Sequence, residues 1–249
     1  MSSFSNDWQV QIGGLQADLE HLALHFTAPP QRVFQDQGGG GYIYESSGFA
    51  PCNAAEEVGS VAEQELVVLS GALKLALRSM EPLKRGAVYR QRSGGGRDVW
   101  VFISETIPIR VAGGDVTVTV TGADGKVVTR PSPPPKTLLF AQIAARDPAV
   151  AKVLRLQVAP DSDSWVGLYR IYEVIAHDLG GEESFKQVGW GSPQDLKRFT
   201  HSANSVAAAG DAARHGRERT DPPKRPMSLE EAIAYIGYVV QSWLSYKGA

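Results

Sequence analysis

The sequence predicts two unlike halves: an α+β domain made of an antiparallel sheet with one long helix, followed by an all-α helical bundle. Three observations lead there. Before residue 130, short runs of period-two hydrophobicity come in pairs joined by glycine-rich or Asp-Gly turns, the pattern of hairpins. Among them one long stretch, ending at Leu77, keeps apolar residues at three- and four-residue spacing. After Arg130-Pro131-Ser132-Pro133-Pro134-Pro135-Lys136 the pattern is helical almost to the end. Four prolines in five residues favour an extended, semi-rigid segment that cannot continue a sheet. Residues 131–136 are therefore expected to link a domain at 1–130 to a bundle at 137–249.

In the first half, Trp8 to Ile12 alternates as a short strand and ends at Gly13-Gly14. Leu15, Leu19, Leu22 and Phe26 then recur at helical spacing, so Gln16 to His25 reads as a short helix, with a strand as the alternative. Arg32 to Gln35 and Tyr42 to Glu45 are strands around the glycine run Gly38 to Gly41, a hairpin tip. Asn53 is placed as an N-cap with Glu56 reaching back to it. Val58, Ala62, Leu66, Leu69, Leu73 and Leu77 then share one face. Ala87 to Arg92 and Asp98 to Ile103 are strands joined across Ser93-Gly94-Gly95-Gly96. Asp115 to Thr121 turns at Asp124-Gly125 into Lys126 to Thr129.

In the second half, Thr137 to Ala145 and Pro148 to Val158 read as short helices, the second capped by Asp147 with Pro148 at its first position. Asp161 to Ser164 caps a stronger helix in which Trp165, Leu168, Tyr172, Ile175 and Leu179 keep a three-four spacing. Ile171 and Val174 fill most of its remaining circumference, so it is expected at the centre of the bundle. The box Ser228-Leu229-Glu230-Glu231 opens a closing helix with Leu229, Ile233, Ile236, Val240 and Trp243 on one side. Five helices, mostly antiparallel, are expected.

Composition narrows the function. A chain of 249 residues with 43% hydrophobic content is globular and long enough for two domains, and its net charge of −2 gives no global drive toward nucleic acid or membrane. Cys52 is the only cysteine, which leaves no intramolecular disulfide and no cysteine-based zinc site. The start MSSFSNDWQV has neither a basic region nor an apolar run, and no segment is long enough to span a bilayer. A cytoplasmic protein with no membrane partner is expected. His21-Leu22-Ala23-Leu24-His25 lacks the glutamate of a zinc-protease helix, Tyr44 to Gly48 lacks the leading glycine of a nucleophile elbow, and no glycine run is followed by Gly-Lys-Ser or Gly-Lys-Thr. No metal and no cofactor is expected.

The candidate site lies around Arg198 to Gly216. Written as one helix at about 100° per residue, this stretch lines up His201, Asn204, Ala208, Asp211 and His215. Phe199, Ala203, Val206, Gly210 and Ala213 form a second, small and apolar stripe. On the central helix Arg170, Glu173 and His177 gather opposite the apolar face and need partners if buried. The expectation is that Glu173 pairs across the bundle core with the set His201, Asn204, Asp211, Arg214 and His215. Truncating it would then cost about 3 kcal/mol or more. The alternative is an exposed ladder of Arg170, Glu173 and His177, worth about 0.2–0.5 kcal/mol per pair. Next along the chain, Arg217, Arg219, Lys224 and Arg225 sit in a segment kept irregular by Gly216 and three prolines, a cationic loop suited to phosphate.

The runs Leu168 to Ile175, Phe199 to Asn204, Gly210 to His215 and Pro226 to Ala232 together resemble a group of uncharacterised bacterial proteins whose helical half looks like a divergent member of the HEPN class. The likeness covers the second half; the first half resembles the same group only in general. HEPN domains are helical bundles, often dimeric, and many are metal-independent ribonucleases with an Arg-x(4–6)-His motif at the dimer cleft. The resemblance thus implies RNA as a partner, a homodimer through the helical domain, and catalytic roles for Arg170, His177 and His215. Arg170 and His177 have the six intervening residues of the motif, although Ile171 replaces the usual polar residue after the arginine. Two readings of function follow. One is an RNA-directed HEPN-like protein, binding or cutting, in defence or stress response; the other is a non-enzymatic protein-interaction module whose polar network is structural.

Overall fold

The computed structural model describes residues 7–36, 41–94, 96–101, 135–217 and 221–248. The strands expected at 115–121 and 126–129, the end of the strand at 98–103, most of the glycine tip at 38–41 and residues 131–134 of the linker lie outside the described residues. So does Arg219. Contacts divide the chain into two compact units, the first comprising 1–66 and 79–138, the second 67–78 and 139–249.

In the first unit the order is β1 (Trp8–Gly13), α1 (Gln16–His25), β2 (Thr27–Ala28), β3 (Gln31–Gln35), β4 (Tyr42–Ser46), the first half of α2 (Ala55–Leu77), β5 (Lys84–Gln91) and β6 (Arg97–Trp100). The strands form one antiparallel sheet in the order β2-β3-β4-β1-β5-β6. Alternation sets its faces: Trp8, Val10 and Ile12 of β1 are buried, and Val10 pairs with Tyr44, which is fully buried too. On the opposite face a chain of polar bonds crosses four strands. Gln91 Nε2 donates to Gln9 Oε1 at 2.7 Å, Gln9 Nε2 donates to Glu45 Oε1 at 2.7 Å, and Arg32 Nε donates to Glu45 Oε2 at 2.9 Å. Glu45 is thereby buried as one member of an ion pair.

Helix α2 starts at Ala55, two residues beyond the expected cap. The Asn53 backbone N–H donates to Glu57 Oε2 at 2.8 Å, so Glu57 and not Glu56 turns back to the entry. Ala55, Val58, Ala62 and Leu66 are buried as the spacing requires, whereas Leu77 at the far end is 44% exposed. Glu65 breaks the apolar row. It accepts from Tyr44 Oη at 2.7 Å and from Ser46 Oγ at 2.9 Å, fastening α2 to β4 through hydroxyls buried in the core. Burial pushes the Glu65 carboxyl above its ordinary value, and the two hydroxyl bonds offset only part of that rise.

The second unit contains α4 (Pro148–Gln157), α5 (Trp165–Asp178), α6 (Glu182–Gln187), α7 (Pro193–Asn204), α8 (Val206–Ala209) and α9 (Leu229–Gly248), with the later residues of α2 and of α3 (Lys136–Ala144). Helix α5 touches α4, α6, α7 and α9, the central place that its apolar circumference requires. Asp147 caps α4 by accepting from the Ala149 and Val150 N–H groups, and Ser228 with Glu231 forms the box at α9. Between α2 and α4 the approach is set by a glycine: a β-carbon on Gly71 would lie 2.0 Å from the Leu154 carbonyl oxygen. Short α6 has no counterpart in the sequence pattern, because Phe185 is its only buried residue.

Two outcomes test this packing. Gly71→Ala is expected to destabilise the protein by about 2–3 kcal/mol in urea unfolding, because the clash is with backbone and no side chain can yield. Glu65→Gln is expected to flatten the dependence of stability on pH. A carboxyl with a raised folded-state pKa contributes stability that is full below the ordinary 4.5 and is lost as pH rises through the raised value. Melting curves of the variant should therefore fall less than those of the parent between pH 4.5 and neutrality.

Candidate functional site

Ser164 caps α5, its Oγ accepting from the Gly167 N–H at 3.1 Å. Trp165, Leu168, Ile171, Tyr172 and Ile175 are buried, which leaves Arg170, Glu173 and His177 exposed along the remaining face. Arg170 Nη1 donates to Asp161 Oδ2 at 2.8 Å, toward the start of the helix. His177 stands about two turns on, roughly 10 Å along the axis. The two residues share a face of α5 but are not brought together.

Arg198 to Gly216 is not one helix. Helix α7 ends at Asn204, Ser205 turns to extended backbone, and its Oγ accepts from the Ala208 N–H at 3.2 Å to start the four-residue α8. Gly210, at φ 59, then closes α8 into a 3-10 turn that carries Asp211 on the surface. The stripe of His201, Asn204, Asp211 and His215 is thereby dissolved: a serine side chain outcompetes the helix for a backbone donor. His201 Nδ1 lies 3.4 Å from the Asp221 carbonyl oxygen, and Asn204 Nδ2 donates to Thr200 O of its own helix at 2.8 Å. The Asn204 Oδ1 is buried with no partner among the described residues. His215 is partly buried, one residue past the centre of the site.

That centre is Arg214. Its backbone N–H donates to Ala203 O at 2.8 Å, so the chain leaving the 3-10 turn is fastened to the end of α7. Its Nη2 donates to Glu173 Oε1 at 2.7 Å, and its guanidinium carbon lies 4.0 Å from the centroid of the Tyr169 ring. The expected pairing of Glu173 therefore forms, but at the surface: the Arg214 and Glu173 side chains are 28% and 47% exposed. The core behind them is aromatic instead of ionic. Tyr169 stacks on Phe199 and meets Tyr172 edge-on, and Phe199 also contacts Trp165 and Tyr235. Burial raises the Tyr172 and Tyr235 hydroxyls well above their ordinary value, with Glu182 adding to the first and Asp195 to the second. Neither ionises near neutrality.

A second anchorage lies just before α9. Arg198 Nε donates to Arg225 O at 3.1 Å, and Arg198 Nη2 donates to Glu231. The Met227 N–H donates to the buried Ser202 Oγ at 2.8 Å, and the Met227 side chain is itself buried. The described residues on either side of 218–220, Arg214 to Arg217 and Asp221 to Met227, are thus each held to the bundle and together are called the strap. Arg217, Lys224 and Arg225 are exposed on it, with no ion pair among the described residues.

Several working residues escaped the sequence reading. Tyr169 is the platform under Arg214; its i, i+4 relation to Glu173 on α5 was the available signal. Arg198 is an anchor through carbonyl groups, which no motif encodes. Lys247 Nζ bridges Asp147 Oδ2 at 2.7 Å and Asp178 Oδ1 at 2.8 Å, while Trp243 Nε1 donates to Asp178 Oδ2 at 2.9 Å. This network joins the start of α4 to the ends of α5 and α9. Tyr235 lines a shallow cleft with Phe185, Trp190 and Pro193, and its hydroxyl is buried without a partner among the described residues.

The exposure of the Glu173–Arg214 pair fixes its energetic scale. Glu173→Ala should lower the unfolding free energy by about 1 kcal/mol, the sum of a screened ion pair and a loosened cation–π contact. Urea titration checks this; a loss of about 3 kcal/mol would restore the charge-stranded core. Comparison with protein-family models, with curated proteins and with solved structures finds no match.

Proposed function

We propose that the helical unit binds RNA through Arg217, Lys224 and Arg225, the cations beside the anchorages at Arg214 and Met227, gripping the phosphate backbone without cutting it. The observation that carries this reading is the pair of anchorages. Arg214 is held by α5 and α7, and Met227 by Ser202, so the exposed cations Arg217, Lys224 and Arg225 each stand within three residues of an anchorage on the bundle. Cations presented in this way bind a polyanion with less ordering cost than the same charges on a free tail. Arg219, in the same run, adds a fourth charge in the sequence. The resemblance of this half to HEPN domains, many of which act on RNA, supports the same partner. Binding is favoured over cleavage because Arg170 is engaged by Asp161 and stands apart from His177 on α5.

The test is salt-dependent binding of an unstructured single-stranded RNA. Changing Arg217, Lys224 and Arg225 together to glutamine should weaken binding and reduce the slope of log affinity against log salt by about 2, at roughly 0.7 per contacted phosphate. Failure of the parent protein to bind RNA near physiological salt, or an unchanged slope in the triple variant, would overturn the reading.

A further inference from the structure

Arg214 differs in kind from the exposed cations that follow it. Its charge is met by Glu173 at 2.7 Å, its backbone is held by Ala203, and its planar head rests on Tyr169 at 4.0 Å from the ring centroid. Tyr169 in turn is fixed by Phe199, a fully buried residue whose ring lies at 23° to it. The guanidinium is therefore a flat surface group whose orientation is set from the core outward. Yet 28% of the side chain remains open to solvent. A neutralised, immobilised plane adds little to the attraction of phosphate, which is governed by unpaired charge. It is suited to stacking, because guanidinium planes and aromatic rings are the surfaces on which unstacked bases of single-stranded RNA are received.

We infer that Arg214 is a base-stacking station: the side of its guanidinium away from Tyr169 receives one unpaired base, and so directs the strap to single-stranded RNA over duplex. This rests on the RNA reading above and adds what that reading leaves open, the form of the nucleic acid. Bases in a duplex are already stacked on their neighbours and cannot reach the station, while phosphates are offered by both forms. The two contributions therefore separate. Arg217, Lys224 and Arg225 supply the salt-dependent part, shared by both forms; Arg214 supplies a part that depends on planarity and not on salt.

The experiment uses the full chain with a single-stranded RNA of about ten nucleotides carrying 2-aminopurine, and an RNA duplex of the same sequence. The parent protein should raise the 2-aminopurine fluorescence on binding, because a base received on the guanidinium leaves the neighbouring bases that quench it. Arg214→Lys keeps the charge and its partner Glu173 but loses the plane. It should weaken single-strand binding about tenfold with an unchanged salt slope, abolish the rise in fluorescence and leave duplex affinity as it was. Equal single-strand affinity in parent and variant would overturn the station, as would an equal loss for duplex or no rise in fluorescence with the parent, the last being independent of how the variant folds. A parent protein that binds neither RNA form would instead overturn the RNA reading itself, and the station with it.

Discussion

An apolar helix that must be covered on every side but one governs the second unit. Helix α5 buries Trp165, Leu168, Ile171, Tyr172 and Ile175 against four neighbours, and only the line of Arg170, Glu173 and His177 is left for water. Full burial of each large apolar side chain is worth about 1.5–3 kcal/mol, far more than any surface ion pair, so packing decides where the charged line points. The site follows from that decision. Glu173 can meet a partner only at the surface, and the chain that supplies Arg214 must cross there.

The aromatic cluster beneath makes the crossing rigid. Tyr169, Tyr172 and Phe199 are in mutual contact, and Phe199 comes from α7, the helix whose end also holds Arg214 by its backbone. One side of the strap is thus referenced to α5 and α7 together. Its other side is referenced to α7 again, through Arg198 and Ser202. A single helix thus holds both Arg214 and Met227.

What the sequence disclosed divides along the range of the forces involved. The span of α1, the Asp147 cap and the Ser228–Glu231 box are local, fixed within one or two turns, and each was readable from its own residues. The antiparallel sheet was legible for the same reason, since alternation and turns lie close together in the chain. Arg198 to Gly216 misled because its alanines favour helix and its polar residues fall by coincidence at helical spacing. The break depends on one serine hydroxyl and on the backbone of Gly210, which periodicity does not register. Short α6 was hidden behind Gly180 and Gly181, with a single apolar anchor and therefore no period. Tyr169 under Arg214 and Ser202 beneath Met227 are contacts between residues far apart in the chain, which no local pattern reports.

The bridge at Lys247 has a bearing on how such a chain changes over generations. One ammonium group holds two carboxylates that belong to different helices, all three side chains being about four-fifths shielded from solvent. Loss of the lysine alone would leave two carboxylates without their cation, and loss of Asp147 as well would also uncap α4, because its Oδ1 receives the Ala149 and Val150 N–H groups. A substitution at any one of the three positions is therefore felt by the groups at the other two, so each constrains what the others can become.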